Sequence, residues 1–233
     1  MNPADIRHAA SAGTMGCMAF TGIPKGAVDF YRQLEDNNSR DWFQAHKQDY
    51  LDQVRTPFEA LAEDVGAAFG EAKVYRPNRD VRFSSDKSPY KTHQGLYVRS
   101  NSHAGWYFNL DSSGFFLGGG SYWFAPDQLV RYRTAVANDH SGAELKSILA
   151  ELTAAGYEVG GEQVATRPRG VPSDAPRLDL LRRKALTVRL VLGEPAWMAT
   201  PDAAEYLHDG WDEVRPLVSW LHQFVGDSEQ RRS

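Results

Sequence analysis

Residues 105–118 constrain the fold more than any other stretch. From Gly105 to Asp111 the chain alternates, with Trp106, Phe108 and Leu110 on one face and Tyr107, Asn109 and Asp111 on the other. A second run, Gly114–Gly118, follows after only Ser112-Ser113. So short a connection reverses the chain and pairs the two runs as an antiparallel hairpin. Further strands are predicted at Arg79–Ser84, Gly95–Ser100, Glu162–Arg167 and Leu186–Leu192.

Helical periodicity flanks this region. Pro24–Asp36 carries Val28, Tyr31 and Leu34 on one stripe. A second stripe runs Trp42, His46, Tyr50, Val54, Phe58, Leu61, Val65 and Phe69, with Asn38 or Ser39 as its cap. Thr56-Pro57-Phe58-Glu59 reads as a capping box, so the helix should break or bend at Thr56. His46 falls on the apolar stripe and is read as a hydrogen-bonded core histidine. Pro126–Ala137, Ala143–Ala155 (capped from Ser141) and Pro201–Val225 (kinked at Pro216) complete the helices. The expected fold is therefore α+β, a mainly antiparallel sheet covered by N- and C-terminal helices.

The expected organisation is a disordered extension over 1–19, one domain over 20–226 and a frayed tail over 227–233. Met15 and Met18 stand just before the patterned sequence, so translation could start at Met1, Met15 or Met18. The chain has 233 residues, 42% hydrophobic and 24% charged, the balance of a soluble globular protein. No apolar run is long enough to span a membrane. A single cysteine, Cys17, leaves no intrachain disulfide or cysteine-built metal site and fits a cytoplasmic location.

The net charge of -4 argues against a protein that coats nucleic acid, yet Lys73–Arg99 carries seven bases against two acids. Within it, Val81 and Phe83 would face a core while Asp80, Arg82 and Ser84 line the other side of a strand. The Ser85–Thr92 loop that follows adds hydroxyls, Lys87 and Lys91, and leads to His93. A rigid edge followed by a donor-rich loop suits an anion. Arg79, Arg82, Ser84, Lys87, Lys91 and His93 are expected to converge with Arg133, Arg167 and Arg169 on one concave site. Tyr75, Tyr90 and Tyr97 are available to stack a base.

Gly118-Gly119-Gly120 lacks both the Walker lysine and the dinucleotide glycine spacing, so close backbone packing is its expected role. The positive surroundings oppose a metal at Asp80, Asp86 and His93, and no metal ligand or particular cofactor is assigned.

Several segments resemble a family of bacterial and fungal proteins known as domain of unknown function 2461. They include Phe20–Lys25, Asn38–Phe43 with His46-Lys47, the Arg79–His93 block and Gly118–Tyr122. Arg133, Arg167–Gly170 and Leu180–Arg182 also match, while Ser85, Arg169 and Ala175 depart from the pattern. The resemblance implies the domain extent and an α+β fold and carries over no activity.

Three functional readings follow. The first is binding of a phosphate-bearing ligand: a nucleotide, a nucleic-acid end or a phosphometabolite. The second is a hydrolase or phosphoryl-transfer enzyme with Asp86 or His93 as acid or base. The third is a purely structural ion-pair cluster.

Overall fold

The computed structural model describes residues 19–82, 85–100 and 104–229. Its chain runs α1 (Gly26–Asp36), α2 (Arg40–Ala45), α3 (Lys47–Tyr50), a π-helical turn (Leu51–Arg55), α4 (Thr56–Phe69), β1 (Ala72–Val74), β2 (His93–Arg99), β3 (Gly105–Asp111) and β4 (Gly114–Ser121). It continues through α5 (Pro126–Ala137), α6 (Asp139–Ala154), β5 (Glu158–Gly160), α7 (Leu178–Leu181), β6 (Leu186–Gly193), a 3-10 turn (Ala196–Ala199) and α8 (Asp202–Phe224). The six strands form one antiparallel sheet in the order β1-β2-β3-β4-β6-β5. This is the α+β fold that the periodicity predicts. No helix among the described residues is long and apolar enough to cross a membrane.

Alternation gives the sheet two unlike faces. Leu96, Val98, Trp106, Phe108, Leu110, Phe115, Leu117 and Val188 are buried and share one hydrophobic core with α1, α4 and α8. Gly119 lies on this face, where an added Cβ would sit 2.6 Å from Val214 of α8. The core is tied by reciprocal indoles. Trp106 Nε1 donates to the Trp211 carbonyl at 3.0 Å, and Trp211 Nε1 donates to the Tyr107 carbonyl at 3.1 Å. Buried Gln94 is fully engaged, accepting from Tyr50 Oη at 2.9 Å and donating to the Tyr75 carbonyl at 2.8 Å. Burial pushes the Tyr50 phenol up to about 12.

Several local expectations need correction. Arg79–Arg82 is loop, not strand: Asp80 accepts the Arg82 backbone N–H at 3.2 Å and its guanidinium at 2.7 and 3.0 Å. Such a local side-chain bond competes with strand pairing. Phe83 and Ser84 lie outside the described residues. The predicted strand at Glu162–Arg167 is instead β5, because Gly161 turns the chain at φ +110, where a Cβ would meet the Ala185 carbonyl at 2.3 Å. Helix α6 starts at Asp139, since Asn138 Oδ1 accepts from His140 N and Ser141 N at 3.0 and 3.1 Å.

No capping box forms at Thr56. The α-ladder gives way to the π turn over Leu51–Arg55, with the Thr56 N–H reaching the Leu51 carbonyl, and resumes through Pro57. Shifting the ladder by one residue absorbs the proline's missing donor without ending the helix. His46 is half-buried, with Nδ1 2.8 Å from the Trp42 carbonyl and its ring stacked on Trp42. Residues 227–229 are not frayed: Ser228 Oγ and Glu229 N donate to Asp127, and Arg131 donates to the Asp227 carbonyl. Desolvation opposes ionisation of Asp127, but these hydrogen bonds hold its carboxyl at about 2. The predicted extension over 1–19 lies outside the described residues except for its last position.

Candidate functional site

The sheet face turned away from the helices carries Gly95, Tyr97, Gly105, Tyr107, Asn109, Phe116 and Gly118. It holds a hollow of about 580 Å³ lined by residues of β2, β3 and β4, with Tyr75, Tyr122, Arg189 and Glu35 closing its sides. Gly95 lines it, and tyrosines pack against three glycines of this face, Gly95, Gly105 and Gly118. An added Cβ at Gly95 would be 2.8 Å from the Tyr75 ring, and one at Gly105 would be 2.8 Å from Tyr97 Oη. At Gly118 it would be 2.8 Å from Tyr107 Oη. Each tyrosine therefore leans one strand across onto a glycine of its neighbour, and the missing side chain permits the contact.

Tyr107 is buried, its hydroxyl donating to the Val188 carbonyl at 2.9 Å. Tyr122 covers it at 5.1 Å between ring centroids while keeping 59% of its own surface exposed. Burial, and then the neighbouring Tyr107, raises the Tyr122 phenol far above its ordinary value. Tyr75 and Tyr97 hydroxyls make no hydrogen bond among the described residues, nor does the Asn109 amide, which borders Gly95 on β3. Arg189 is paired with Glu158 at 2.8 Å, its guanidinium 5.7 Å from the Phe116 ring centroid.

Positive charge gathers along the β1 edge of the hollow. Lys73 sits on the open face opposite Tyr97. Lys91 donates to the Arg76 carbonyl at 3.1 Å and stands 5.3 Å from the Tyr75 ring centroid. Burial lowers the Lys91 pKa, and Arg76 and Lys73 lower it further. Lys73, Arg76 and Lys91 have no ion-pair partner among the described residues. His93 starts β2 directly opposite Asp111. Desolvation lowers its pKa, Lys91 and Arg79 reinforce that, and Asp111 opposes it.

The structure brings only part of the predicted cluster to this place. Lys91 and His93 stand at the rim. Arg79 is paired with Asp86, which also accepts from Ser88 N at 2.9 Å, so both cross-link their own loop. Arg82 is paired with Asp80, and Lys87 donates to the Val81 carbonyl at 3.0 Å. Ser84 lies outside the described residues.

Arg133, Arg167 and Arg169 do not join them. Arg133 donates to the Leu181 carbonyl at 3.2 Å and Arg167 to the Val171 carbonyl at 3.2 Å, in the segment between β5 and β6, while Arg169 is exposed in the same segment. The β1 and β5 edges are five strand spacings apart, roughly 24 Å along the sheet. The two basic segments also leave from opposite ends of the sheet. Tyr90, offered for stacking, is buried against Phe43 at 3.9 Å between centroids.

Sequence reading missed Asn109, Tyr107 and Tyr122 as lining residues. Their signal was the polar face of β3 combined with glycines at matching positions on β2 and β4, which becomes visible only once the register is known. No group of three or more His, Cys, Asp or Glu among the described residues is placed to hold a metal ion.

A search of curated proteins finds no match to this chain. A protein-family profile described as conserved hypothetical protein (DUF2461) matches residues 26–220, so the chain belongs to that family.

Proposed function

We propose that the hollow binds a phosphate-bearing small molecule, its anionic end against Lys73, Arg76 and Lys91 and its body over the tyrosines. The observation that carries this reading is the crowding of three cations, none ion-paired among the described residues, beside an open, aromatic-lined hollow. Mutual repulsion among them is relieved by an anion. A neutral His93 at the rim adds a hydrogen-bonding group. The reading extends to a cytoplasmic location, which a single cysteine permits.

Titration calorimetry with phosphosugars and nucleotides tests it. Binding should weaken as salt rises, and Lys91→Ala should lower affinity about tenfold or more, the loss of one charge-assisted contact. If no phosphate compound binds, or Lys91→Ala and Lys73→Ala bind as the parent does, the reading fails.

His93 supports a second reading. An imidazole with no hydrogen bond among the described residues and a lowered pKa, opposite Asp111, is suited to accept a proton in a hydrolytic or phosphoryl-transfer step. His93→Gln would then retain ligand affinity and lose turnover. Turnover equal to the parent's excludes that role.

A further inference from the structure

The packing of tyrosines on glycines has a consequence for the kind of ligand. A tyrosine standing upright on a strand offers its edge and hydroxyl to whatever lies above. Tyr75 and Tyr97 instead lie against Gly95 and Gly105, in the space where a Cβ would be. Both tyrosines line the hollow, and Tyr75 remains 37% exposed. Aromatic side chains exposed on a sheet are what unstacked bases pile onto.

Beside them stands one group able to read a planar edge. An added Cβ on Gly95 would be 2.8 Å from the Tyr75 ring and 3.9 Å from Asn109 Oδ1, so ring and amide border the same space. The Asn109 amide keeps both its donor and its acceptor unspent among the described residues. An asparagine amide pairs in two-point fashion with the N6/N7 edge of adenine.

Resting on the reading of the hollow as a phosphate-ligand site, we infer that its ligand is an adenine nucleotide, with the base stacked on the tyrosines and its edge read by Asn109. The volume of about 580 Å³ fits within the usual range for small-molecule sites. Among the described residues, cations without an ion-pair partner stand on the β1 side, whereas Asp111 and Glu35 line the hollow toward the hairpin. One phosphate is thus accommodated, not the backbone of a strand, which would need cations along the whole track.

The experiment is calorimetric titration of the full chain with inorganic phosphate, ribose 5-phosphate, AMP, CMP, GMP, UMP and a single-stranded octanucleotide. AMP should bind about tenfold or more tightly than ribose 5-phosphate, the increment expected from stacking one base. Tyr75→Leu should erase that increment while leaving ribose 5-phosphate binding unchanged. Asn109→Leu should erase the preference for AMP over the other nucleotides. Asn109→Asp, which retains the shape and presents only acceptors, should move the preference toward CMP.

If ribose 5-phosphate binds as tightly as every nucleotide, the base platform does not exist although the anion site does. If no compound binds, the underlying reading falls with it. Tighter binding of the octanucleotide than of any mononucleotide would make a strand the occupant and overturn the inference. So would an AMP preference unchanged in a folded Asn109→Asp protein.

Discussion

Tyr107 on β3 donates its hydroxyl to the carbonyl of Val188 on β6 at 2.9 Å, reaching over the whole width of β4. The ring crosses Gly118, where a Cβ would meet the same Val188 carbonyl at 2.0 Å and the Tyr107 hydroxyl at 2.8 Å. This strap locks three strands at the centre of the sheet and lines the hollow. Tyr107→Phe removes one hydrogen bond and should cost about 1 kcal/mol. Gly118→Ala strikes backbone, which cannot give way as a side chain tip can, and should cost roughly 3 kcal/mol. Urea denaturation of the two variants should rank them in that order.

The reciprocal indole pair makes a second prediction. Trp211 is fully buried, donates to the Tyr107 carbonyl and receives Trp106 at its own carbonyl. It is thus the point where α8 is fastened to β3. Trp211→Ala should cost about 3–5 kcal/mol, through the cavity left behind and the packing lost around both indole hydrogen bonds. The thermal midpoint of that variant, followed by circular dichroism, gives the measurement.

Arg177 makes a third. It is the one non-glycine residue at positive φ among the described residues, with φ 59. Its guanidinium donates to the Val136 carbonyl at 2.8 Å and the Ala137 carbonyl at 3.2 Å, closing the C-terminal end of α5. Arg177→Ala loses those bonds and keeps the left-handed backbone, so it should cost about 2–3 kcal/mol. Arg177→Gly loses the same bonds and relieves the backbone, so it should be the more stable variant by about 1 kcal/mol. Equal stability of the two would mean that the backbone there carries no strain.

Much of the fold was legible because period and punctuation are local properties. Gly105–Asp111 and Pro126–Ala137 occur at the predicted boundaries, since alternation and a proline at the first helical turn need no partner to be recognised. Errors came where a side chain bonded its own backbone. Asp80 turned a strand-like alternation into a loop, and Asn138 moved a helix start by outcompeting Ser141. Close packing is what the sequence predicts for Gly118-Gly119-Gly120, and its residues do lie against Val188, Val214 and Leu186.

The candidate site was harder. Arg79, Arg82 and Lys87 look like anion ligands in sequence because their counter-groups, Asp86, Asp80 and the Val81 carbonyl, are revealed only by folding. The hollow itself is made by register, which places Tyr75, Gly95 and Asn109 in one row across three strands. No window along the chain contains that row.

His93 gives the last prediction. It is exposed at the start of β2, yet its pKa is lowered from 6.5 by partial desolvation of the ring, by Lys91 and by Arg79, with Asp111 acting the other way. The unfolded chain therefore binds a proton at His93 more readily than the folded protein does. Stability linked to this group is complete above about pH 6.5 and is lost as pH falls through that value and then through the lower folded-state pKa. The parent should thus lose unfolding free energy between about pH 7 and 5 more steeply than His93→Gln, which has no group to protonate. A phosphate compound bound beside Lys91 supplies the missing negative charge and should raise the His93 pKa, flattening the parent's slope. Urea denaturation across that pH range, with and without ribose 5-phosphate, measures both effects. Parallel curves for parent and His93→Gln would show that the imidazole is as freely solvated in the folded protein as in the unfolded chain.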